Sequence, residues 1–485
     1  MIILAALAAF ATAQDPVPPP ADWGAALSED ARAFHDAVAE NHAGPVDAEN
    51  PGFGDLLANG LALALERAGT ADSYPHWYYA LREYEASFDD GHLGLTDWQG
   101  MGQRWVLQWP GFMTGLRDYG GRERHEVVFV RDEAGPPAGA VLVQCDGRPA
   151  EALAAGILGR TAGRWNLKSQ RTRHAANLFV DQMNPYVRRP ETCEFLVDGA
   201  SRTYDLAWRA LPEALRDEGR AVARSPRHFA PVEMRGFSGG VWISLGSFES
   251  DPASEPGRRL TALLAEVEDS AAAVRAAPMV VFDLRGNNGG SSLWSSRITR
   301  ILWGEERVDA LGPRSQGVDW RVSPGNLETI EYYRDEVFAD QPDALVWATE
   351  IAEGMRAAMQ AGEPLWRQGD GEARPAAPEG PGPMTGRVYV LTDSGCASAC
   401  LDAVDFFTAM GAVTVGQETS ADSVYMDIRD ISLPGGRVAA YVPMKVYRGR
   451  GRGNNESVAP VHEWSGPMSD TAGIEAWLIG LDAAR

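Results

Sequence analysis

The spacing of hydrophobic positions changes character twice along the chain. After a Pro-rich linker (Pro16 to Pro20), residues 24 to about 90 are rich in Ala, Leu and Glu and poor in strand formers. Within them Phe53, Leu56, Leu57, Leu61, Leu63 and Leu65 recur at broadly helical spacing, which predicts a helical unit over 22–104. From Trp105 short β-type runs take over, such as Glu126-Val127-Val128-Phe129-Val130 and Ala140-Val141-Leu142-Val143, divided by Gly and Pro turns. They predict a small β-rich module at about 119–160 inside a second unit, 105–230. A third unit, 231–470, alternates strand and helix patterns. A strand is expected at 241–245, a helix at 258–274, a buried-type strand at 279–284 and a helix at 291–303. Another apolar strand at 388–391 leads again into a turn and a helix. Such repeats build an α/β layer fold. Between the two strand-turn-helix units, residues 305–385 form a charged helical insertion with a Gly/Pro-rich segment, expected to cover a site. No internal repeat is present.

Composition narrows the class. The 485 residues suggest about three folded units, and 45% hydrophobic with 23% charged residues is a globular balance. Acidic residues outnumber basic ones 67 to 44, a formal charge of −23. A chain this acidic repels phosphate backbones and anionic lipid, which argues against nucleic acid as the main partner. No apolar run reaches the ~18 residues of a spanning helix, so no integral membrane segment is expected. The first residues, an apolar Ile2 to Phe10 followed by Ala11-Thr12-Ala13 and then Gln14, read as a signal peptide over 1–13. No Lys or Arg precedes the apolar run, and a buried N-terminal strand is the alternative. The expectation is export to a periplasmic or extracellular location. Four cysteines (Cys145, Cys193, Cys396, Cys400) are too few for a disulfide scaffold, although an oxidising compartment would let them pair. Cys396 and Cys400, four apart on a helix, would lie ~6 Å apart at Cα, near the edge of bridging geometry. Small buried apolar side chains are the expected role.

Three short patches carry chemistry. Asp393-Ser394-Gly395-Cys396-Ala397-Ser398-Ala399-Cys400 lies between the 388–391 strand and a helix bearing Leu401, Val404, Phe407 and Met410. A Ser at such a turn meets free N–H groups and a favourable dipole, which suits a nucleophile whose attack creates an oxyanion. An ordinary helix cap is the commoner meaning of that position. Asp283-Leu284-Arg285-Gly286-Asn287-Asn288-Gly289-Gly290 is a buried strand running into a glycine turn, where bare backbone can approach a ligand. It lacks both phosphate-loop patterns, GxxxxGK[ST] and GxGxxG. Asp89-Asp90-Gly91-His92-Leu93 supplies a His, and an activated Ser needs a base titrating near working pH.

Together, in this order, the three patches resemble the tail-specific (C-terminal processing) serine peptidases, and within them the tricorn-like branch. The likeness spans most of the chain and is closest over about 240–465. It implies an α/β, ClpP/crotonase-like peptidase core with a PDZ-like β module, for which Ala138 to Gly147 is a loose match. It places Ser398 as nucleophile and His92 as base, with Ala399 and Gly289 supplying oxyanion N–H groups. One branch of the family uses a Lys about 25 residues after the nucleophile; here Gly416 to Ser423 has an acid or Ser there, so a Ser/Lys mechanism is not expected. The other branch uses a Glu before a Val-x-Pro-Asp segment. Glu456-Ser457-Val458-Ala459-Pro460-Val461 supplies Glu456, with Val461 replacing the Asp. Such an apparatus would cleave polypeptide substrates without a cofactor or metal, and a homo-oligomer is a candidate assembly. A non-catalytic binding relative, an ester hydrolase and a Cys396 or Cys400 nucleophile are the alternatives. At this net charge the Arg448 to Gly453 run is not expected to bind RNA; a basic loop near the site, for an acidic substrate end or carboxylate, is the alternative to a bland surface role.

Overall fold

A computed structural model describes residues 17–119, 122–223, 228–249, 251, 253–339, 342–369 and 374–483. The signal-like segment 1–13 lies outside the described residues. The chain folds as mixed α/β with several sheets.

The sheet that positions the site has six strands. In spatial order they are Val232–Phe237, Gly240–Leu245, Met279–Asp283, Arg387–Thr392, Val413–Gly416 and His462–Glu463. The first pairs antiparallel and the rest run parallel. Alternate side chains face opposite layers, as a sheet covered on both faces requires. Ile243, Val280, Phe282, Val388 and Val390 pack under the helices Glu255–Asp269, Leu293–Trp303 and Ala399–Ala409. Trp242, Met279, Val281, Tyr389 and Leu391 pack with Ile474 and Leu478 of the helix Thr471–Ala483. The Phe282 and Phe407 rings stack at 4.0 Å between centroids, which ties the central strand to the helix that follows Ser398. The helix expected at 258–274 is two, Glu255–Asp269 and Ala271–Ala276, because the backbone leaves helical geometry at Ser270.

A second, antiparallel sheet combines Gly94–Thr96, Ala439–Arg448, Gly317–Arg321 and Leu365–Gln368, with Tyr425–Ser432 also paired to the long strand. Three N-terminal helices, Trp23–Asn41, Phe53–Ala68 and Tyr74–Ala86, cover it through Leu27, Phe34, Trp77 and Tyr84 against Ala440 and Val442. On the second helix the buried stripe is Phe53, Leu57, Gly60, Ala64 and Arg67, while Leu56 and Leu63 are exposed. Gly60 belongs to the stripe because a β-carbon there would stand 2.1 Å from the Tyr84 ring.

The described residues of the insertion 305–385 build into the second sheet and not over the site. They contribute two of its strands and build their own core from Trp320, Ile330, Ile351 and Met355 against Met444. None of them lines the cavity that holds Ser398.

The β-rich module reaches beyond 119–160. Its antiparallel sheet runs Phe112–Asp118, Glu123–Val130, Val141–Cys145, Thr192–Val197 and Ala200–Asp205 around Phe112, Phe179 and Phe195. Cys145 and Cys193 lie directly opposite each other across two strands and form a disulfide. Cys396 and Cys400 form a second, with Cα atoms 5.3 Å apart. The role of small buried apolar side chains thus gives way to the pairing that an oxidising compartment allows.

Candidate active site

Parallel strands deliver their C-terminal ends to one side of a sheet, where loops can gather around a ligand. Here the strands Met279–Asp283 and Arg387–Thr392 are neighbours in register, so the turns after them lie side by side. The Leu284 N–H donates to the Leu391 carbonyl at 2.9 Å. The Asp393 carboxylate joins the two turns by accepting from the Gly286 N–H at 3.0 Å and the Gly395 N–H at 2.9 Å. The Asp and Arg of Asp283-Leu284-Arg285-Gly286 are internal struts. Buried Arg285 forks onto Asp283 at 2.8 and 2.6 Å, and Trp242 Nε1 donates to the same carboxylate at 3.1 Å.

Ser398 caps the helix Ala399–Ala409 with φ 54° and ψ −126°, a conformation a non-glycine residue rarely holds. Such backbone costs about 1–3 kcal/mol and persists only where its surroundings over-determine it. Here the clamp is visible. Cys396 and Cys400 are bonded across the turn, both fully buried, and the Ser420 N–H donates to the Cys396 carbonyl at 3.0 Å. The Ser398 Oγ is buried and has no hydrogen-bond partner. Ala399 is the first residue of its helix, so its N–H has no intrahelical acceptor. Gly289 lies against this turn with φ 107°, but its N–H donates to Asn287 Oδ1 at 2.8 Å.

His92 reaches the same cavity from another unit. The helix Tyr74–Ala86 ends before it and the strand Gly94–Thr96 pairs with Ala439–Arg448 just after it. The His92 N–H donates to Asp90 Oδ1 at 2.8 Å, and Asp90 Oδ2 stands 3.7 Å from His42 Nε2. His42 Nδ1 accepts from the Gly44 N–H at 2.8 Å, which puts the proton of a neutral ring on Nε2, facing Asp90. Burial pushes the Asp90 carboxyl up, but the nearby His42 ring and the charges of His92 and His42 outweigh it and hold the group below its ordinary value. Burial holds His42 below its own ordinary value, against the pull of Asp90 and Asp47. Sequence reading singled out His92 in this motif and missed His42, which lies 48 residues from Asp90 with no motif around it. The His92 Nδ1 is buried without a hydrogen-bond partner.

Ser398, His92, Gly91, Asn288 and Ala397 line one cavity of about 670 Å³, with Arg164, Arg173, Arg220 and Asp422 also on its wall. Glu456 is not on that wall. Its side chain is exposed and accepts from the Gly453 N–H at 2.7 Å, closing its own loop. The loop is nonetheless anchored to the base segment, since Asn455 Nδ2 donates to the Asp89 carbonyl and the Asn455 N–H to the Asp422 carbonyl. Asp422 carries a buried Oδ2 without a partner. The arginines of the 448–453 run turn inward and do not form a basic loop at the site. Arg448 bonds Asp47 at 2.7 Å and Asp319 at 2.6 Å. Arg452 bonds Asp402, Asp405 and Asp422 at 2.6 to 3.0 Å. Among the described residues no cluster of His, Cys, Asp and Glu could hold a metal ion, and no helix is long and apolar enough to cross a membrane.

The architecture is that of an α/β fold already seen in solved proteins. Mature CPAF in complex with lactacystin matches at a TM-score of 0.57 over 96% of this chain and 100% of that one, with 14% identity. A serine-to-alanine mutant of CPAF matches at 0.56 over 94% and 98%, with 13% identity. These likenesses show a shared fold across nearly the whole length. The photosystem II D1 C-terminal processing protease covers 92% of this chain and 96% of that one at 12% identity, but its TM-score of 0.33 is too low to bear on the argument. No protein-family model and no curated protein matches the sequence.

Proposed function

We propose that this protein is a serine endopeptidase of the tail-specific type, acting on polypeptides in the cell envelope through Ser398 and His92. The observation that carries the reading is a strained Ser398 at a strand-to-helix turn, on the wall of a cavity that also holds His92. In this reading the six-stranded layer is a ClpP/crotonase-like core and the β-rich unit is a PDZ-like module. Ser398 Oγ attacks the scissile carbonyl, and His92 takes its proton and returns it to the leaving amine. Ala399 N–H and Gly289 N–H hold the oxyanion, Gly289 exchanging Asn287 Oδ1 for it, with each donor contributing about 3 kcal/mol. Glu456 orients the imidazole from the loop that Asn455 ties to Asp89. A second reading gives that role to Asp422, because its Oδ2 is buried, unpartnered and on the cavity wall.

Export is supported by the two disulfides, which persist in oxidising compartments. The test is a fluorophosphonate probe on the purified protein, with the labelled residue located by peptide mass spectrometry. Label on Ser398 that disappears in His92→Ala is the expected result. A folded protein that takes no label would overturn the reading in favour of a non-catalytic binding protein. Cleavage products from unlabelled protein substrates then separate a peptidase from an ester hydrolase.

A further inference from the structure

Behind the helix that Ser398 caps lies a second cavity, of about 860 Å³, separate in its lining from the catalytic one. Its apolar wall is built from Leu293, Leu311, Pro313, Phe406 and Ala409. Its polar wall holds the carboxylates of Asp402 and Asp405 and the guanidinium groups of Arg314, Arg374, Arg450 and Arg452. These cations are not equally occupied. Arg452 is consumed by Asp402, Asp405 and Asp422. Among the described residues, Arg374 donates to the main-chain carbonyls of Ala310 and Gly312, both at 3.0 Å. Arg450 is the informative one. Its side chain is only 9% exposed, and Nη2 reaches Asp422 Oδ1 at 3.2 Å and the Ser423 carbonyl at 3.3 Å. Its Nε and Nη1 are buried with no hydrogen-bond partner.

A buried guanidinium with unfilled donors is costly, because each such group forfeits its water without replacement. A pocket that keeps one beside an apolar wall is suited to an anion with an apolar body. We propose that this cavity binds an amphipathic organic carboxylate, its head on Arg450 and Arg374 and its acyl or aryl body against Leu293, Leu311 and Phe406. The site is independent of whether Ser398 is a working nucleophile. It is also linked to the catalytic cavity, since Arg450 holds Asp422 and Asp422 lines that cavity.

Decanoate is the probe and decanol its uncharged control, each titrated into the full chain by calorimetry. The expected result is saturable binding of one decanoate per chain, with decanol about tenfold weaker or more, the loss of a charge-assisted contact. Arg450→Met should weaken decanoate about tenfold. Arg374→Gln, at an exposed position, should weaken it by about threefold. Ala409→Phe should abolish binding by filling the apolar wall. If Arg450→Met fails to fold, the other two variants carry the test. Equal binding of decanol and decanoate, no saturable binding of decanoate, or decanoate affinity unchanged in Arg374→Gln and Ala409→Phe would each overturn the proposal.

Discussion

Gly289 is packed so closely against Ser398 that a β-carbon on it would stand 2.8 Å from the Ser398 Cβ. The same atom would lie 2.9 Å from the Ala397 carbonyl oxygen and 3.1 Å from the Ala399 nitrogen. The glycine turn is thus the surface on which the nucleophile turn rests, and no side chain fits between them.

Gly289→Ala should therefore do two kinds of damage. At φ 107° an alanine is strained, and its methyl group would push the Ser398 turn away from His92. The expectation is a loss of about 1–3 kcal/mol in stability and a fall of roughly a hundredfold in the rate at which Ser398 takes a fluorophosphonate, since small misplacements cost that much. Gly480, in a helix with nothing within 4 Å, is the contrast. Gly480→Ala should be neutral or gain about 0.5–1 kcal/mol, with labelling unchanged. Equal labelling rates in the two variants would show that the contact does not govern Ser398.

The Cys396–Cys400 bond encloses Ser398 in a very short loop, so its effect on global stability is small. Loop-closure entropy gives about 2 kcal/mol for a loop of this length, against about 4 kcal/mol for Cys145–Cys193, which are 48 residues apart. Its larger role is to hold the strained Ser398 backbone. The double variant Cys396→Ala/Cys400→Ala should thus lose more labelling than stability, while Cys145→Ala/Cys193→Ala should do the reverse. Denaturant melts and labelling rates on wild type and the two double variants check this. Parallel losses in both pairs would mean that the clamp has no local role.

What the sequence made legible follows period and motif. The strands leading into Asp283 and Asp393 were readable because both are buried on two faces and so run continuously apolar. Ser398, His92 and Gly289 were readable because each sits in a short pattern with its own chemistry. The second sheet was not. Gly317–Arg321 and Leu365–Gln368 are short, mixed in polarity and separated by helices, and only their pairing with Ala439–Arg448 makes them strands. Leu56 and Leu63 read as core by hydrophobicity alone, whereas Gly60 and Arg67 are what Tyr84 and Glu83 accept at those positions. The Cys145–Cys193 bond depends on register between strands 48 residues apart, which spacing does not encode.

The carboxylate that serves His92 can be assigned by comparing two amides. Glu456 is exposed and its one contact is local, so Glu456→Gln should leave unfolding unchanged. If it orients the imidazole, labelling of Ser398 should fall by about a hundredfold or more. Asp422→Asn disturbs Arg450 and Arg452 as well, so its effect has to be read alongside a melt. The expected outcome is a silent melt and slow labelling in Glu456→Gln. Wild-type labelling in Glu456→Gln, with a folded but unlabelled Asp422→Asn, would transfer the role to Asp422.

His125 offers a pH test away from the site. It is buried in the β-rich module with an unpartnered Nδ1, and burial holds its pKa down at about 4, against 6.5 for an exposed imidazole. A depressed pKa means that the unfolded chain binds the proton first, so stability is complete above pH 6.5 and lost as pH falls toward 4. Between pH 7 and 4.5 the penalty from this one ring is about 2 kcal/mol. Other groups titrate over the same range, so the informative quantity is the difference between wild type and His125→Gln in urea melts at both pH values. Wild type should lose about 2 kcal/mol more than the variant on acidification. Identical losses would mean that the ring finds a proton acceptor or solvent in the folded state, and that the β-rich module opens around it.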